Sequence, residues 1–534
     1  MESSAQNSNE QLTSGSHVPY WVDSVPAIQY EKLSSNMEVD VVIVGGGIAG
    51  VTVAYCLSES GKKVALVEDG NIGSGETGRT TAHLVTALDD RYYEFERIYG
   101  KKNSKIIAQS HATAIDFVER VIAAENIDCD FRRVNGYLLR HPSDKPESLE
   151  MELEAALRAG LEVERVSIIP GMENEHDALE FYNQAEFHPL KYLKGLCNAI
   201  IQNGGYICTN THAKEIDEEG IVSDEGYKIS AKHVVIATNS PVNDRYIMHL
   251  KQFAYRTYVV AFKVNKDQFP ATLWWDTGDF NVNAQIPPYH YVRTQKLDDT
   301  HDLLIVGGED HAVGLADADE KLEEERYQFL EKWAKEHFGA LGEIAYRWSG
   351  QIIEPMDSLA YIGKNPLDKN NVYIITGDSG NGMTHGTIGG MLINDLILGK
   401  ENEWEKIYSP SRMKIFSSGK TLFKEFVGGM ISYLKNKPDH VETQVRDIPV
   451  NEGRIIEYNG KKCGAYRDEN DTIHFVSMEC THLGCTIKWN NDEKSWDCPC
   501  HGSRFNYEGH VLNGPANEPL PAYQKKMDLH AMPK

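Results

Sequence analysis

The chain has few basic residues and no long apolar run. Its 534 residues include 54 Lys and Arg against 79 Asp and Glu, a formal net charge of −25. Nucleic-acid phosphates attract faces rich in Lys and Arg, so this balance argues against a nucleic-acid partner and is typical of a soluble acidic enzyme. No apolar stretch reaches the roughly 18 residues that a membrane-spanning helix needs. The segment from Met1 to about Ser16 lacks the basic and apolar regions of a signal peptide, so we expect a disordered tail and a cytoplasmic protein.

Cysteine is also sparse over most of the chain. Four of the nine cysteines are scattered through the first 210 residues, and this pattern favours buried thiols over a disulfide framework of the secreted kind: Cys56, Cys129, Cys197 and Cys208. The other five lie after residue 460. Their spacing therefore calls for a separate explanation.

The last cysteines form a motif with two histidines. Cys480-Thr-His482 is followed, after fifteen residues, by Cys498-Pro-Cys500-His501, and each half carries one extra cysteine. Two cysteines on one iron and two histidines on the other are the ligands of a Rieske 2Fe–2S centre, which carries one electron at a time. A tetrahedral zinc site is the alternative, although zinc needs neither the doubled cysteines nor the His-Gly-Ser that follows.

The stretch resembles the Rieske domains of respiratory and photosynthetic cytochrome complexes. That resemblance implies that Cys480 and Cys498 bind one iron and that His482 and His501 bind the other. It also implies an all-β domain of short strands.

Residues around the motif extend the resemblance. Cys485 and Cys500 correspond to the disulfide that joins the two ligand loops, and Ser503 to a hydroxyl that donates to a cluster sulfur. Gly514-Pro515-Ala516 resembles the proline loop that covers the cluster. Phe505 stands where the family has a tyrosine that bonds the cluster. Because hydrogen bonds to the sulfurs tune the reduction potential, we expect a lower potential than that of the respiratory relatives.

A nucleotide-binding motif opens the chain. The buried strand at residues 39–44 is followed by Gly45-Gly-Gly47-Ile-Ala-Gly50, a helical stretch and a second strand that ends in Glu68. Gly45 allows a tight turn, Gly47 allows the backbone to approach a pyrophosphate, and Gly50 lets helix and strand pack closely. The helix N-terminus stabilises the diphosphate, and Glu68 accepts from the ribose hydroxyls. A β-α-β unit without nucleotide is the alternative.

Four later stretches favour FAD over NAD. They resemble the second pyrophosphate loop, the strand before the flavin crossover, a substrate-domain strand and the closing Gly-rich turn of the D-amino-acid oxidase/glycine oxidase superfamily: residues 72–83, 233–239, 304–308 and 371–384. A helix N-terminus at that closing turn stabilises negative charge on reduced flavin. The resemblance implies FAD bound by these residues: Gly45, Gly47, Gly50, Glu68, Ser74, Gly75, Arg79, Thr80, Gly377, Gly382, Met383 and Thr384.

The flavin link is a separate question. In relatives that dehydrogenate N-methylated glycines, a loop histidine bonds covalently to the flavin. Arg79 occupies the matching position here and His83 lies four residues later, so we expect non-covalent FAD, with a covalent link through His83 as the alternative.

The resemblance implies an α/β FAD-binding domain with a discontinuous substrate domain, followed by the small all-β Rieske domain. The expected boundaries are an N-terminal tail at 1–37, the flavin domain at 38–408 with substrate segments at about 115–185 and 245–345, a linker at 409–438 and the Rieske domain at 439–534. The linker alternates apolar residues and lysines, which is typical of an amphipathic helix that packs between domains or lies on a membrane surface.

Aromatic residues mark the substrate domain. Trp274, Trp275, Tyr289, Tyr291 and Arg293 could form a cage for an ammonium group, or ordinary strand and core contacts. Tyr289 and Tyr291 are candidate catalytic residues.

A second candidate segment is Tyr346-Arg347-Trp348-Ser349-Gly350-Gln351. Amino-acid oxidases of the superfamily carry a carboxylate-binding arginine at the place that aligns with Gln351. Its absence favours an amine without a neighbouring carboxylate, as in gamma-glutamylputrescine oxidoreductase, unless Arg347 binds the carboxylate from a shifted register.

These patterns together predict a dehydrogenase. An amine or amino acid would reduce FAD, and the Rieske cluster would pass the electrons to an external acceptor, a carrier protein or a quinone. The alternatives are an oxidase that uses oxygen, with a structural or regulatory cluster, and an electron-transfer protein without catalysis of its own.

Overall fold

The computed structural model describes residues 15–173, 175–243, 248–281, 287–313, 322–366, 368–413, 444–458, 460–523 and 526–528. Its helices are α1 (Tyr20–Asp23), α2 (Ile48–Glu59), α3 (Tyr92–Tyr99), α4 (Lys101–Ala124), α5 (Ser148–Ala159), α6 (Pro189–Gln202), α7 (Leu322–Phe338), α8 (Gly382–Ile397) and α9 (Glu405–Tyr408). Its strands are β1 (Met37–Val44), β2 (Val64–Val67), β3 (His83–Leu84), β4 (Arg132–Leu139), β5 (Val163–Val166), β6 (Ala178–Glu186), β7 (Tyr206–Cys208), β8 (Ala213–Asp217), β9 (Gly220–Ser223), β10 (Lys228–Ile236), β11 (Gln252–Asn265), β12 (Leu273–Asp276), β13 (His290–Lys296), β14 (His301–Ala312), β15 (Ile344–Pro355), β16 (Tyr361–Lys364), β17 (Val372–Thr376), β18 (Glu452–Tyr458), β19 (Lys461–Arg467), β20 (Thr472–Val476), β21 (Lys488–Asn490), β22 (Ser495–Asp497), β23 (Arg504–Asn506), β24 (Val511–Asn513) and β25 (Met527–Asp528).

The first sheet is built around β1, whose apolar residues are buried on both faces. β1 pairs in parallel with β2 and β10, in the order β16–β17–β10–β1–β2–β7. Off this order, β9 pairs in antiparallel with the start of β10, and β8 pairs with β9. Parallel sheets require cover on both faces. Val41 and Ile43 pack with α2 and α8 on one side, and Val42 and Val44 belong to a second core on the other.

The second sheet is assembled from two separate stretches of chain. β3 to β6 and β11 to β15 form one sheet in the order β15–β11–β14–β13–β12–β4–β6–β3, with β5 beside β6. One face packs on the nucleotide-binding half, and the other is covered by α7. The predicted flavin-domain fold with an interrupting substrate domain is therefore confirmed.

The C-terminal region forms two small sheets, β18–β19–β20–β25 and β21–β22–β23–β24. This confirms the predicted all-β domain. The predicted amphipathic linker lies largely outside the described residues, because these end at 413 and resume at 444. None of the helices in the described part is long and apolar enough to cross a membrane.

The predicted N-terminal tail is packed from residue 15 onward. Trp21 is fully buried, its Nε1 donates to Thr80 O at 2.6 Å, and the Arg293 guanidinium lies 5.3 Å from its ring centroid. The four scattered cysteines are buried thiols, as predicted. The segment before β1 therefore belongs to the folded body of the protein.

Candidate functional site

A deep cleft follows the ends of β1 and β2. Gly45 has φ +109°, and a Cβ there would overlap the carbonyl of Ala237. Gly50 does not line the cleft; a Cβ there would overlap Gly45 O, so its role is close packing of α2 on β1. A Cβ on Gly47 would meet only Thr77 Oγ1, at 3.0 Å, so Gly47 leaves open the space before the N-terminus of α2. This cradle fits a diphosphate.

Glu68 closes one end of the cleft. Its two carboxylate oxygens accept from Gly46 N at 2.6 Å and from Gly70 N at 2.8 Å. Burial, with the neighbouring Asp69, raises the pKa of the Glu68 carboxyl well above its usual value. The carboxyl lines the cleft, where ribose hydroxyls would contact it.

The second predicted loop forms a 3₁₀ turn, Glu76–Arg79. Thr77 Oγ1 accepts from Ile48 N at 3.0 Å, which ties this turn to the start of α2. Gly75, Arg79 and Thr80 line the cleft, whereas the Ser74 hydroxyl donates to Asn71 O. The two glycine-rich loops therefore form one surface.

The closing turn contributes to the lining of the same cleft. Gly382 and Met383 line it at the start of α8, whereas Gly377 and Thr384 do not. Gly377 has φ +68°, and the Thr384 hydroxyl bonds His111 Nδ1 at 2.8 Å. The first turn of α8 directs its backbone N–H groups to the cleft.

The substrate end carries aromatic rings and acid groups. Trp275, Tyr289 and Tyr291 line the cleft, and the Tyr289 hydroxyl donates to Asp89 Oδ2 at 3.2 Å. Burial raises the pKa of the Asp89 carboxyl. Burial and the neighbouring acidic side chains, Asp89 among them, raise the pKa of the Glu354 carboxyl well above its usual value. Trp274 is excluded from this group, since it packs beneath α7.

His83 lines the cleft as a neutral imidazole. Its Nδ1 bonds Thr81 Oγ1 at 3.0 Å, and its Nε2 donates to Val292 O at 3.3 Å. Burial, aided by Arg293, lowers the pKa of His83 to about 3. Both ring nitrogens already have protein partners, which favours non-covalent FAD.

The structure gives Gln351 and Arg347 protein partners that the sequence did not predict, and their roles stay predictions. β15 alternates its faces, so Trp348 packs in the core shared with the nucleotide-binding half while Ser349 points the other way. The Gln351 side chain follows Ser349 and donates to Gly502 O at 2.9 Å. Arg347 pairs with Glu324 at 2.9 Å and is not among the described residues that line the cleft.

The cationic side chains near the cleft are already paired. Arg79, among the described lining residues the only Lys or Arg, bonds Glu493 at 3.1 Å. Arg293 forms an ion pair with Glu186 at 3.1 Å and donates to four backbone carbonyls. No guanidinium in the described lining is therefore left to bind a substrate carboxylate.

The Rieske residues converge on one spot. Cys480 and Cys498 are buried thiols, and the His482 and His501 ring centroids lie 5.0 Å apart. The buried Nδ1 of His501 has no hydrogen-bond partner, as expected of a nitrogen reserved for a metal. This donor set fits the cluster.

The predicted disulfide lies beside the ligands, whereas the bond from Ser503 to a cluster sulfur stays a prediction. Cys485 and Cys500 form the disulfide. The Ser503 hydroxyl accepts from Ala516 N at 3.0 Å, which joins the ligand loop to the proline loop, and Phe505 is fully buried.

The Rieske domain is docked on the flavin domain by buried ion pairs. Arg79 bonds Glu493, and Arg256 on β11 bonds Asp497 at 2.9 Å. Glu493, 1% exposed, also accepts from Ser16 N and from the Ser349 hydroxyl, both at 2.7 Å. Four distant segments thus meet at one carboxylate.

The docked domain also reaches the cleft itself. Residues 511–514 and 516–517 line it together with the glycine-rich loops. Asn513 Nδ2 donates to Glu76 Oε1 at 2.8 Å, and His212 Nε2 donates to Asn517 O at 3.2 Å. The proline loop therefore faces both the cluster ligands and the flavin cleft.

The ligand histidines face the flavin domain. The His249 ring centroid lies 4.8 Å from that of His482 and 5.7 Å from that of His501. His249 is 2% exposed and belongs to the turn Met248–Leu250, just before β11. The three imidazoles pack together across the domain boundary, with His249 and His501 buried and His482 partly exposed.

Sequence reasoning missed the residues that join the two domains and the acid group of the substrate end. These are Glu76, Asp89, His249, Arg256, Glu493 and Asp497. Only Glu76 lies in a stretch that the sequence singled out, residues 72–83. Each of the six acquires its role through a partner that is distant in sequence. The alternation of side-chain direction along β15 was the one signal available in the sequence, since it places Ser349 and Gln351 on the same face of the strand.

The fold and site define a flavoprotein with a built-in electron-transfer domain. The family model for FAD dependent oxidoreductases matches residues 40–396, and the Rieske [2Fe-2S] domain model matches residues 440–524. The chain belongs to the FAD dependent oxidoreductase family and carries a C-terminal Rieske domain. Its cofactors are FAD and a 2Fe–2S cluster, as predicted.

Similar proteins share this organisation in whole or in part. The Rieske 2Fe-2S iron-sulfur protein YhfW of Bacillus subtilis is 32% identical, over 96% of this chain and 97% of its own length. Gamma-glutamylputrescine oxidoreductase of Escherichia coli is 24% identical, over 76% of this chain and 94% of its own. The crystal structure of glycine oxidase from Geobacillus kaustophilus superposes with a TM-score of 0.57 and 18% identity, over 71% of this chain and 100% of its own.

Proposed function

We propose that the protein is a dehydrogenase that oxidises the C–N bond of an amine and delivers the electrons, through its Rieske cluster, to an external one-electron acceptor. Conversion of a CH–NH group to C=N releases two electrons and two protons. FAD supplies two-electron chemistry when bound, and a 2Fe–2S cluster accepts one electron at a time. Each turnover therefore needs two successive transfers and two equivalents of a one-electron acceptor.

One observation carries the proposal: the ligand histidines are packed against the flavin domain. His249 contacts both imidazoles, and the proline loop lines the flavin cleft. A merely structural cluster would need neither contact. The arrangement supports transfer within one chain, and covalent tethering keeps the effective concentration of the cluster high.

The residues of the cleft suggest how a substrate would be held. The glycine-rich loops and the α8 N-terminus would hold FAD, and the rings of Trp275, Tyr289 and Tyr291 would enclose the substrate. Asp89, positioned by the Tyr289 hydroxyl, would attract an ammonium group. The rings and the docked proline loop would exclude water.

The charge of the cleft favours an amine over an amino acid. Its single lining guanidinium, Arg79, is neutralised by Glu493, while the Asp89 and Asp378 carboxyls lie near the Gly-rich turn. Burial raises the pKa of both carboxyls, and a bound ammonium would favour their charged form. The similarity to gamma-glutamylputrescine oxidoreductase agrees with such a substrate. We therefore propose an amine that has no carboxylate beside the reacting carbon.

Anaerobic mixing of the holoenzyme with a panel of amines and amino acids tests the proposal. We expect an amine to bleach the flavin absorbance and then to produce the rhombic EPR signal of a reduced Rieske cluster. Bleaching without cluster reduction would support the oxidase alternative. Absence of bleaching with every compound, together with rapid reduction by a partner dehydrogenase, would support the electron-transfer alternative.

A further inference from the structure

Next to the His501 loop, a single strand separates the flavin cleft from the Rieske domain. Residues Gly350 to Ile353 of β15 line the cleft. On the opposite side, the side chains of Ser349 and Gln351 reach the Rieske domain. At Gln351, one residue therefore forms the whole wall between the flavin cleft and the Rieske domain.

Gln351 contacts both sides of this wall. Its backbone N–H donates at 2.7 Å to Glu76 Oε2, a residue of the cleft lining. Its side-chain Nε2 donates at 2.9 Å to Gly502 O, and Gly502 follows the ligand His501 directly. The residue is 3% exposed, so water does not compete for these bonds.

The fit on the Rieske side depends on a glycine. Gly502 has φ +80°, and a Cβ there would lie 2.6 Å from Ala254 Cβ and 2.9 Å from Gln351 Nε2. Any larger residue would push the ligand loop away from β11 and β15. The close approach and the hydrogen bond thus place the His501 loop directly on the cleft wall.

We propose that Gln351 is the positioning residue that couples the flavin cleft to the cluster. It joins the cleft wall to the ligand loop through one side chain and one hydrogen bond. His249 packs on the ligand histidines but does not line the cleft, so it cannot make that connection by itself. The inference rests on the proposed function, because it assumes that the two electrons of the flavin leave singly through the cluster.

Gln351→Met tests the inference in the full-length holoenzyme. Methionine conserves the volume but cannot donate to Gly502 O. Gln351→Glu is a second variant, with the same shape and no N–H donor. Tyr327→Phe is the control, because it removes one hydrogen bond between the domains, from the Tyr327 hydroxyl on α7 to Asp492 Oδ2, and leaves the bond to Gly502 in place.

Three measurements separate positioning from a general loss of structure. With Gln351→Met and Gln351→Glu we expect cluster reduction to be slower by an order of magnitude, at unchanged flavin bleaching. Amide hydrogen exchange at residues 498–503 should rise, while the g-values of the dithionite-reduced cluster stay those of the wild type. Tyr327→Phe should behave as the wild type in all three. Wild-type cluster reduction in both Gln351 variants would overturn the inference and point instead to the route from Ala516 to Ser503 within the Rieske domain.

The substrate proposal can fail independently. Light-driven reduction of the flavin replaces the amine, so cluster reduction can be timed even when no compound of the panel reacts. Slow reduction of the cluster after photoreduction of the flavin in Gln351→Met would support the inference regardless of substrate. Cluster reduction at the wild-type rate would refute it.

Discussion

Replacing Glu493 by glutamine is expected to undock the Rieske domain. Glutamine keeps the shape and one acceptor oxygen but leaves Arg79, 3% exposed, without its counter-ion. Removal of one partner of a buried ion pair costs about 3–5 kcal/mol, because the other charge stays desolvated. The lower figure, about 3 kcal/mol, corresponds to a docking constant roughly a hundredfold lower.

The loss should fall on the contact between domains and not on either domain alone. Glu493 lies in the β21–β22 hairpin, away from the cluster ligands, and its donors come from the flavin domain and from the N-terminal segment. We therefore expect the EPR spectrum and the substrate-driven flavin bleaching to stay unchanged. The rate of cluster reduction should fall, and the protein should become sensitive to protease between its domains.

A surface pair on the same domain provides the control. Glu452 bonds Arg454 with about a quarter of each side chain exposed, and such pairs contribute at most about 1 kcal/mol. Glu452→Gln should therefore leave cluster reduction and protease resistance at the wild-type level. Wild-type behaviour of Glu493→Gln in both assays would refute the docking role assigned to the ion pair.

The remaining predictions concern pH, FAD and the cluster. Burial acts to raise the pKa of the Glu493 carboxyl, but Arg79, assisted by His17 and Arg504, outweighs it and holds the pKa well below its usual range. Docking should therefore be complete above the ordinary Glu pKa of about 4.3, and it should weaken as the pH falls towards the lower pKa of the docked state. Protease sensitivity between pH 6 and pH 3 measures this change. Gly47→Val places carbons in the diphosphate cradle and should weaken FAD binding at least tenfold, which corresponds to about 1.4 kcal/mol. Titration of the apoprotein with FAD measures the affinity, and an undiminished affinity would contradict the cradle assignment. His501→Ala should abolish the rhombic EPR signal while FAD stays bound, and a surviving signal would refute His501 as a ligand.

Short-range patterns in the sequence determined both cofactors and the fold class. Gly45, Gly47 and Gly50 act within one turn, and the cluster ligands lie in two short loops joined by the Cys485–Cys500 disulfide. Backbone geometry and metal preference alone dictate these residue types at these spacings. These patterns can therefore be recognised in one sequence. The family matches confirm both cofactors, whereas the individual FAD-binding residues stay predictions.

Only the tertiary structure decided what the other polar residues contact. Arg79 belongs to a flavin loop by sequence but bonds Glu493, more than 400 residues away. Gln351 aligns with a substrate-binding position, yet the alternation of β15 turns its side chain to Gly502. His249 gains its neighbours only when the Rieske domain docks. A one-residue shift of strand register or a different docking face would change every one of these partners without altering any motif, because buried charges and strand faces are assigned by the packing of the whole chain.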